Sequence, residues 1–271
     1  MERGVIQFNL GTKCLVRLCV SLHSLRKHYS GPVTILNGGN DGGICGKISA
    51  AFGAEVVEIP VVQRRKNTAY TTKSGLWKFS PYSTSVLVDS DTVFMASPEP
   101  LLEFAESGVL LTRFSNWIST GPLISGRIIK WRGIIADGIN VEGLIKASLE
   151  APHAAINTGV VGFNLERGKS FLRDWDTLTC AGWRCPLGDE LAAQLLTRKH
   201  EHVLVGTQWN FSPLYSKGVE PKIVHHHGHK ELRPEAIGYW LPHFKECWQE
   251  DKSGIRGWIP TEERERYLEY L

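Results

Sequence analysis

Apolar residues fall along the first third of the chain in short runs that alternate with helical spacing. Val5–Leu10 is an apolar run of strand length, and Leu15, Leu18, Cys19, Leu22 and Leu25 then recur every three or four residues, which predicts a helix. Gly31-Pro32 punctuates, and Val33–Leu36 predicts a second strand. A Gly-rich loop over Asn37–Gly43 leads into a predicted helix over Ile44–Phe52, ended by Gly53. Ala54–Ile59 reads as a third strand, a polar loop follows, and Thr72–Phe79 predicts a further helix. Ser85–Val88 is the fourth strand, and it runs straight into Asp89-Ser90-Asp91. The order β-α-β-α-β-α-β predicts an α/β fold with a mostly parallel, Rossmann-like central sheet and helices on both faces. Ligands of such sheets bind beyond the carboxyl ends of the strands, where Asp89 and Asp91 stand.

The second half is more mixed. Val109–Thr112, Val160–Phe163, His202–Val205 and Lys222–Val224 predict strands, with helices over Ser170–Leu178 and Asp189–Thr197. The stretch after Arg233 predicts helix, with a polar last segment from Glu262 to Glu269. No low-complexity linker or internal repeat divides the 271 residues, so a single domain is expected. Within it, 1–95 form a first half, 96–232 a second and 233–271 a helical tail.

Composition narrows the choice only a little. The chain is 42% hydrophobic and 22% charged, and its net charge of +3 is too small to argue for nucleic acid. The N-terminus lacks the apolar core of a signal peptide, and no run reaches membrane-spanning length, so membrane association is not indicated. Six scattered Cys, none in a C-x-x-C pair, fit reduced thiols and a cytoplasmic protein. Nine Trp is a high number; most are expected in the core.

A bare D-x-D triplet carries little weight, since about one is expected by chance at ordinary composition. A second, Asp174-Trp175-Asp176, lies in a polar helical stretch and reads as a solvated face. Asp89 and Asp91 instead close an apolar strand, and Val93-Phe94-Met95 follows. Two carboxylates crowded at a strand end repel each other, and a divalent cation or a shared proton relieves them.

Ser-Val-Leu-Val-Asp-Ser-Asp-Thr-Val-Phe resembles the aspartate motif of GT-A glycosyltransferases, and Thr72–Tyr82 resembles the helix and turn that precede it. Asn157-Thr-Gly-Val-Val-Gly-Phe-Asn164 is similar to the family's Asn-(small)-Gly-Val stretch, and Trp209-Asn210 to its Trp-Asn pair. Ile223-Val-His-His-His-Gly-His-Lys230 resembles the C-terminal metal motif of the branch that holds glycogenin and the lipopolysaccharide galactosyltransferases. The likeness runs from about Val5 to Lys230, in scattered motifs.

The resemblance implies a metal-dependent transfer of a sugar, with retention, from a nucleotide-diphosphate donor such as a UDP-sugar to a glycan, lipid or protein acceptor. It implies Mn²⁺ or Mg²⁺ on Asp89, Asp91 and His225. In the family the Lys comes three residues after the Gly; here Lys230 comes two after Gly228, which leaves His227 open as the ligand instead. Phe8, Asn9, Lys73, Asp89, Ser90, Gly228 and Lys230 would meet the donor, and Asp189, Asn157 and Lys230 would serve catalysis. The family usually has Asp-Gln where this chain has Asp189-Glu190. Plainer roles stand beside these: a solvated helix lysine for Lys73, a helix cap for Asp189, a β-bulge for Gly159 and packing for Trp209-Asn210. Residues Ser115–Ala151 match no family motif and are expected to form an acceptor loop or lid. Two other functions fit parts of the pattern. Asp89-Ser90-Asp91-Thr92-Val93 also satisfies the nucleophile motif of haloacid-dehalogenase-type phosphohydrolases, and the same fold without turnover would make a sugar-nucleotide-binding protein.

Overall fold

The computed structural model describes residues 2–39, 41–61, 68–185, 187–227 and 230–271. Gly228 and the polar loop over 62–67 lie outside the described residues. The first half is β1 (Arg3–Asn9), α1 (Leu15–Arg26), β2 (Val33–Asn37), α2 (Ile44–Phe52), β3 (Glu55–Glu58), α3 (Thr68–Lys73) and β4 (Thr84–Val88). The second half is β5 (Thr92–Phe94), α4 (Glu99–Ala105), β6 (Val109–Ile118), α5 (Pro122–Ile129), α6 (Val141–Glu150), β7 (Ala154–Asn164), α7 (Lys169–Ala181), α8 (Gly188–Leu196), β8 (Val203–Val205) and β9 (Ile223–His225). Three helices follow: α9 (Pro234–Glu250), α10 (Ile255–Trp258) and α11 (Thr261–Leu268).

Seven strands form one sheet in the order β3-β2-β1-β4-β7-β6-β8. The four strands of the first half pair in parallel, as does β8 with β6, while β7 runs antiparallel between β4 and β6. Alternate residues of the central strands feed two cores. Val5, Val86 and Val88 face α1, α2, α4 and α9; Ile6 and Leu87 face α5 to α8. Burial on both faces is why β1 and β4 read as continuous apolar runs rather than as alternation.

Several expectations change. The helix expected over Thr72–Phe79 is split: α3 ends at Lys73, and a 3₁₀ turn spans Leu76–Phe79. Ser74 donates to the Thr71 carbonyl, and Gly75 turns the chain where a Cβ would sit 3.3 Å from Asp176 Oδ1. Residues 115–151 are not a loop; they complete β6 and fold as α5 and α6, with Trp131 fully buried beneath them. Asp174 and Asp176 are not a solvated face. Asp174 is 5% exposed and receives Lys199 Nζ at 2.8 Å and His200 Nε2 at 2.9 Å, while Asp176 pairs with Lys78 across to the 3₁₀ turn.

The helical tail is fastened through one buried carboxylate. Glu231 Oε1 accepts from Arg17 Nη2 at 2.9 Å and from the Tyr267 hydroxyl at 2.6 Å, and lies 3.2 Å from Arg266 Nη1. Burial pushes the Glu231 carboxyl up, but the Arg17 hydrogen bond and charge outweigh it and leave the pKa lowered. Its stabilisation is therefore full above the ordinary glutamate range and is lost as pH falls through the lower folded value. Arg17 is 2% exposed and Glu231 0%, so Arg17→Met leaves a buried charge with fewer partners. A loss of about 3–5 kcal/mol in denaturant unfolding is expected, with a flatter acid limb in the Tm-against-pH curve.

Candidate active site

The acidic pair and the histidine meet because of a small second sheet. β4 ends at Val88, Asp89 N donates to the Gly159 carbonyl at 2.8 Å, and the chain turns into β5. β5 pairs antiparallel with β9 so that Thr92 lies opposite His225, and His226 N donates to the Asp91 carbonyl at 2.9 Å. This register puts His225 Nε2 at 3.2 Å from Asp91 Oδ1 and 3.7 Å from Asp89 Oδ2. One ligand atom from each of the three falls within 4.8 Å of the others. His225 is thus the histidine that joins the aspartates. His227, in the left-handed region at φ 51°, folds its ring back over that of His225 with centroids 4.0 Å apart.

The orientation of His225 is fixed by Asn210. Asn210 Nδ2 is surrounded by acceptors, Thr112 Oγ1 at 2.8 Å and Asn157 Oδ1 at 2.9 Å. Its Oδ1 therefore faces His225 Nδ1 at 2.9 Å, assigns a proton to that nitrogen and turns Nε2 toward the carboxylates. Trp209 packs in the core, but its neighbour Asn210 is more than a packing residue. Gly159 is equally specific: a Cβ there would lie 2.3 Å from the His225 ring. Its missing side chain makes room for the imidazole. Two carboxylates and an oriented imidazole form a donor set that fits Mn²⁺ or Mg²⁺.

This cluster opens on a cavity of about 440 Å³. Lys73 crosses its floor, 2.6 Å from Asp89 Oδ1 and 3.7 Å from Asp189 Oδ2. Burial pushes the Lys73 ammonium down, but Asp89 and Asp189 outweigh it and leave its pKa raised. Burial pushes Asp89 up, against the pull of Lys73 and His225. Burial would also lower His225, and Asp91 more than reverses that. Lys73 is thus a buried bridge between two acids rather than a solvated lysine. Asp189 also accepts from Thr158 Oγ1 at 2.7 Å, so its side chain points into the cavity wall and does not cap its own helix.

Asn157 lines the cavity; its Oδ1 accepts from Gly159 N, and its Nδ2 donates to Glu190 Oε2 at 2.8 Å. Lys230 also lines it, with Nζ 5.9 Å from the centre of the Tyr215 ring. Phe8, Asn9 and Ser90 do not. Ser90 turns toward the Cys14 thiol. Asn9 is buried at the end of β1, donating to Asn37 Oδ1 at 3.0 Å, and Asn37 in turn donates to Glu58 at 2.8 Å.

Four groups received no individual role from the sequence, although Glu190 belongs to the acidic pair noted there and Trp117 to the expected acceptor segment. Glu190 lies in the wall with Arg127 Nη1 3.6 Å away, and burial with Asp189 beside it pushes its carboxyl up to about 7. Phe114, Trp117 and Tyr215 form an aromatic side, with ring centres 4.9 to 5.6 Å apart. Ser115, in the left-handed region at φ 53°, donates to the Tyr215 carbonyl at 2.6 Å and holds that side together. Arg127 reaches the cavity from α5, in the stretch no motif covers. The sequence signals among these were the acidic doublet Asp189-Glu190 and Trp117 in the expected acceptor segment.

Asn210→Ala should weaken Mn²⁺ binding in a calorimetric titration by about 10–100-fold, the usual effect of losing the partner that orients a ligand. Glu190 makes a separate prediction. Its folded pKa of about 7 lies above the ordinary 4.5, so the folded protein holds the proton more tightly than the unfolded chain. Stability falls as pH rises through that window, by about 3 kcal/mol in all. Glu190→Gln, whose amide oxygen still accepts from Asn157, removes this fall; unfolding free energies of the two proteins should diverge as pH rises from about 4.5 to about 7, the window between the unfolded and folded values.

No protein-family model and no curated protein matches this sequence. Solved structures match it in shape. The galactosyltransferase LgtC, solved with donor and acceptor sugar analogues, superposes with a TM-score of 0.63 at 14% identity, over 99% of this chain and 100% of LgtC. The bifunctional glycosyltransferase WbbM gives 0.61 at 11% identity, over 92% of this chain and 51% of WbbM. Mouse xyloside xylosyltransferase 1 gives 0.58 at 12% identity, over 84% and 98%. The chain thus spans about half of WbbM and all of LgtC. At such identities the likeness is one of architecture: this chain has the GT-A glycosyltransferase fold.

Proposed function

We propose that the chain is a metal-dependent glycosyltransferase that moves a sugar from a nucleotide-diphosphate donor, a UDP-sugar by family resemblance, to a hydroxyl of a glycan or glycoconjugate. The observation that carries this reading is the Asp89–Asp91–His225 cluster at the carboxyl end of β4, opening on a cavity that also holds Lys73, Asp189, Asn157 and Lys230. Residues 1–95 supply the nucleotide side and 96–232 the donor-sugar and acceptor side. Phe8 and Asn9 end β1 beside the polar relay through Asn37 and Glu58, a suitable edge for the nucleoside.

As the glycosidic bond breaks, negative charge gathers on the leaving diphosphate. Asp89, Asp91 and His225 would hold Mn²⁺ or Mg²⁺, which supplies Lewis-acid stabilisation of that diphosphate. Lys230 brings a second positive charge to the same side of the cavity. Asn157 and Asp189 stand where the sugar ring would lie, the amide to bind a hydroxyl and the carboxylate to favour positive charge at the anomeric carbon. Lys73 bridges Asp89 and Asp189 across the cavity floor. Phe114, Trp117 and Tyr215 offer aromatic faces to an acceptor sugar. Retention at the anomeric carbon follows from the resemblance to the glycogenin-like branch, with the acceptor proton passing to the departing diphosphate.

Asp91→Ala should keep its fold and lower turnover by at least about 10², the effect of removing one strong electrostatic stabiliser. The first experiment is a thermal-shift screen of sugar nucleotides with Mn²⁺ and with chelator. One donor should raise Tm only with the ion, by an amount equivalent to about 2.7 kcal/mol at a hundredfold excess over Kd. No shift with any donor, together with hydrolysis of phosphate esters, would replace this reading with a phosphohydrolase.

A further inference from the structure

Outside the cavity, the packed pair α1 and α9 brings together a second set of ligand-type side chains. His243 and Glu246 lie one turn apart on α9, and His23 of α1 packs against them. One ligand atom from each falls within 4.8 Å of the other two. Glu250, one turn further along α9, places Oε2 3.3 Å from His23 Nε2. His23 is 5% exposed, and both His23 Nδ1 and His243 Nδ1 are buried without a hydrogen-bond partner among the described residues. Two buried imidazole nitrogens at one helix contact, neither used by the polypeptide, call for a partner of another kind.

The charge balance around the cluster suits a cation. Burial pushes His243 down to about 4 and lowers His23, so both rings are neutral at pH 7 and no proton competes for their lone pairs. The charged groups that face them are Glu246 and Glu250, with Lys27, Lys252 and His28 on the basic side. Lys27 pairs with Glu246 at the surface, where both side chains are more than a third exposed. A surface ion pair of this kind is weak and yields to a multiply coordinated ion.

We propose that His23, His243 and Glu246 form a second divalent-cation site, suited to Zn²⁺, that joins α9 to α1. Two neutral imidazoles and one carboxylate are the donor set of a three-ligand zinc site, and they differ in kind from the carboxylate-rich cluster in the cavity. Bound Zn²⁺ would link a helix at the centre of the first half to the helical tail, and so stabilise the packing behind β9. The reading does not depend on the function proposed above.

The test uses the full chain carrying Asp91→Ala, which silences the cavity cluster, with Co²⁺ as a spectroscopic probe and Zn²⁺ as competitor. The expected result is a visible Co²⁺ spectrum that Zn²⁺ displaces, and a Zn²⁺-dependent rise in Tm. Adding His243→Gln should weaken Co²⁺ binding at least ~10-fold, the least effect seen even for the outer partners of a ligand, and abolish the Tm rise. Glu246→Gln, at a half-exposed position, gives the same readout should His243→Gln fold poorly. A Co²⁺ spectrum that survives both substitutions, or none at all in the Asp91→Ala protein, would overturn the proposal.

Discussion

A single buried ammonium holds the centre of this molecule. Lys73 ends α3, is 6% exposed, and reaches Asp89 at the end of β4 and Asp189 at the start of α8. These elements belong to different halves of the chain and to different layers of the fold. Two carboxylates facing one buried site need a cation between them, and Lys73 is that cation. With Lys73 between them both stay near the cavity floor, and a third acid, Asp91, joins them beside His225. Breaking such a buried pair leaves an uncompensated charge, so the cluster is costly unless complete. Thr158 holds Asp189 on one side of the cluster, and Asn157 and Asn210 hold Glu190 and His225 on the other.

The fold was largely legible where elements are long and buried on a clear period. β1, α1, β2, α2 and β4 stand within a residue or two of their predicted limits because apolar runs and Gly punctuation encode them locally. Gly53 ends α2 in the left-handed conformation that its position implies. Misreadings arose where tertiary contacts overrode local pattern. The helix over Thr72–Phe79 is broken around Ser74-Gly75, where Asp176, a hundred residues away in sequence, meets Ser74 and Lys78. Asp174 looked solvated because its polar neighbours follow a helical face, yet Lys199 and His200 arrive from beyond α8 to satisfy it. Neither event leaves a mark on the local pattern.

The site was legible in its ligands and not in their supports. An apolar strand that ends in Asp89-Ser90-Asp91, and a second that ends in His225, can be seen in the sequence; that Thr92 pairs with His225 cannot. Nor does the sequence say which of His225 and His227 lies beside the aspartates, because that rests on strand register and on one positive φ. Asn210 looked like a packing residue beside Trp209, and only its hydrogen bonds to Thr112, Asn157 and His225 reveal that it orients the imidazole. Glu190 shows the same limit in electrostatic form. Its carboxyl titrates near neutrality because of burial and of Asp189, and burial is a property of the assembled wall rather than of the Gly188-Asp189-Glu190 segment.

The three consecutive histidines show how the tail and the site are coupled. Strand alternation sends His225 to the cavity and His226 to the opposite side, where its ring meets Trp240 of α9 edge-on with centroids 5.4 Å apart. His227 then turns through a left-handed residue and covers the His225 ring from the aromatic side of the cavity. Trp240 in turn stacks near Tyr267, whose hydroxyl donates to the same Glu231 that Arg17 holds. β9 is only three residues long and has little stability of its own. Its position against β5, and with it the distance from His225 to Asp91, is therefore set from behind by the packing of α9 and α11. The helical tail carries no motif of its own, yet it braces the strand that delivers His225 to the two aspartates.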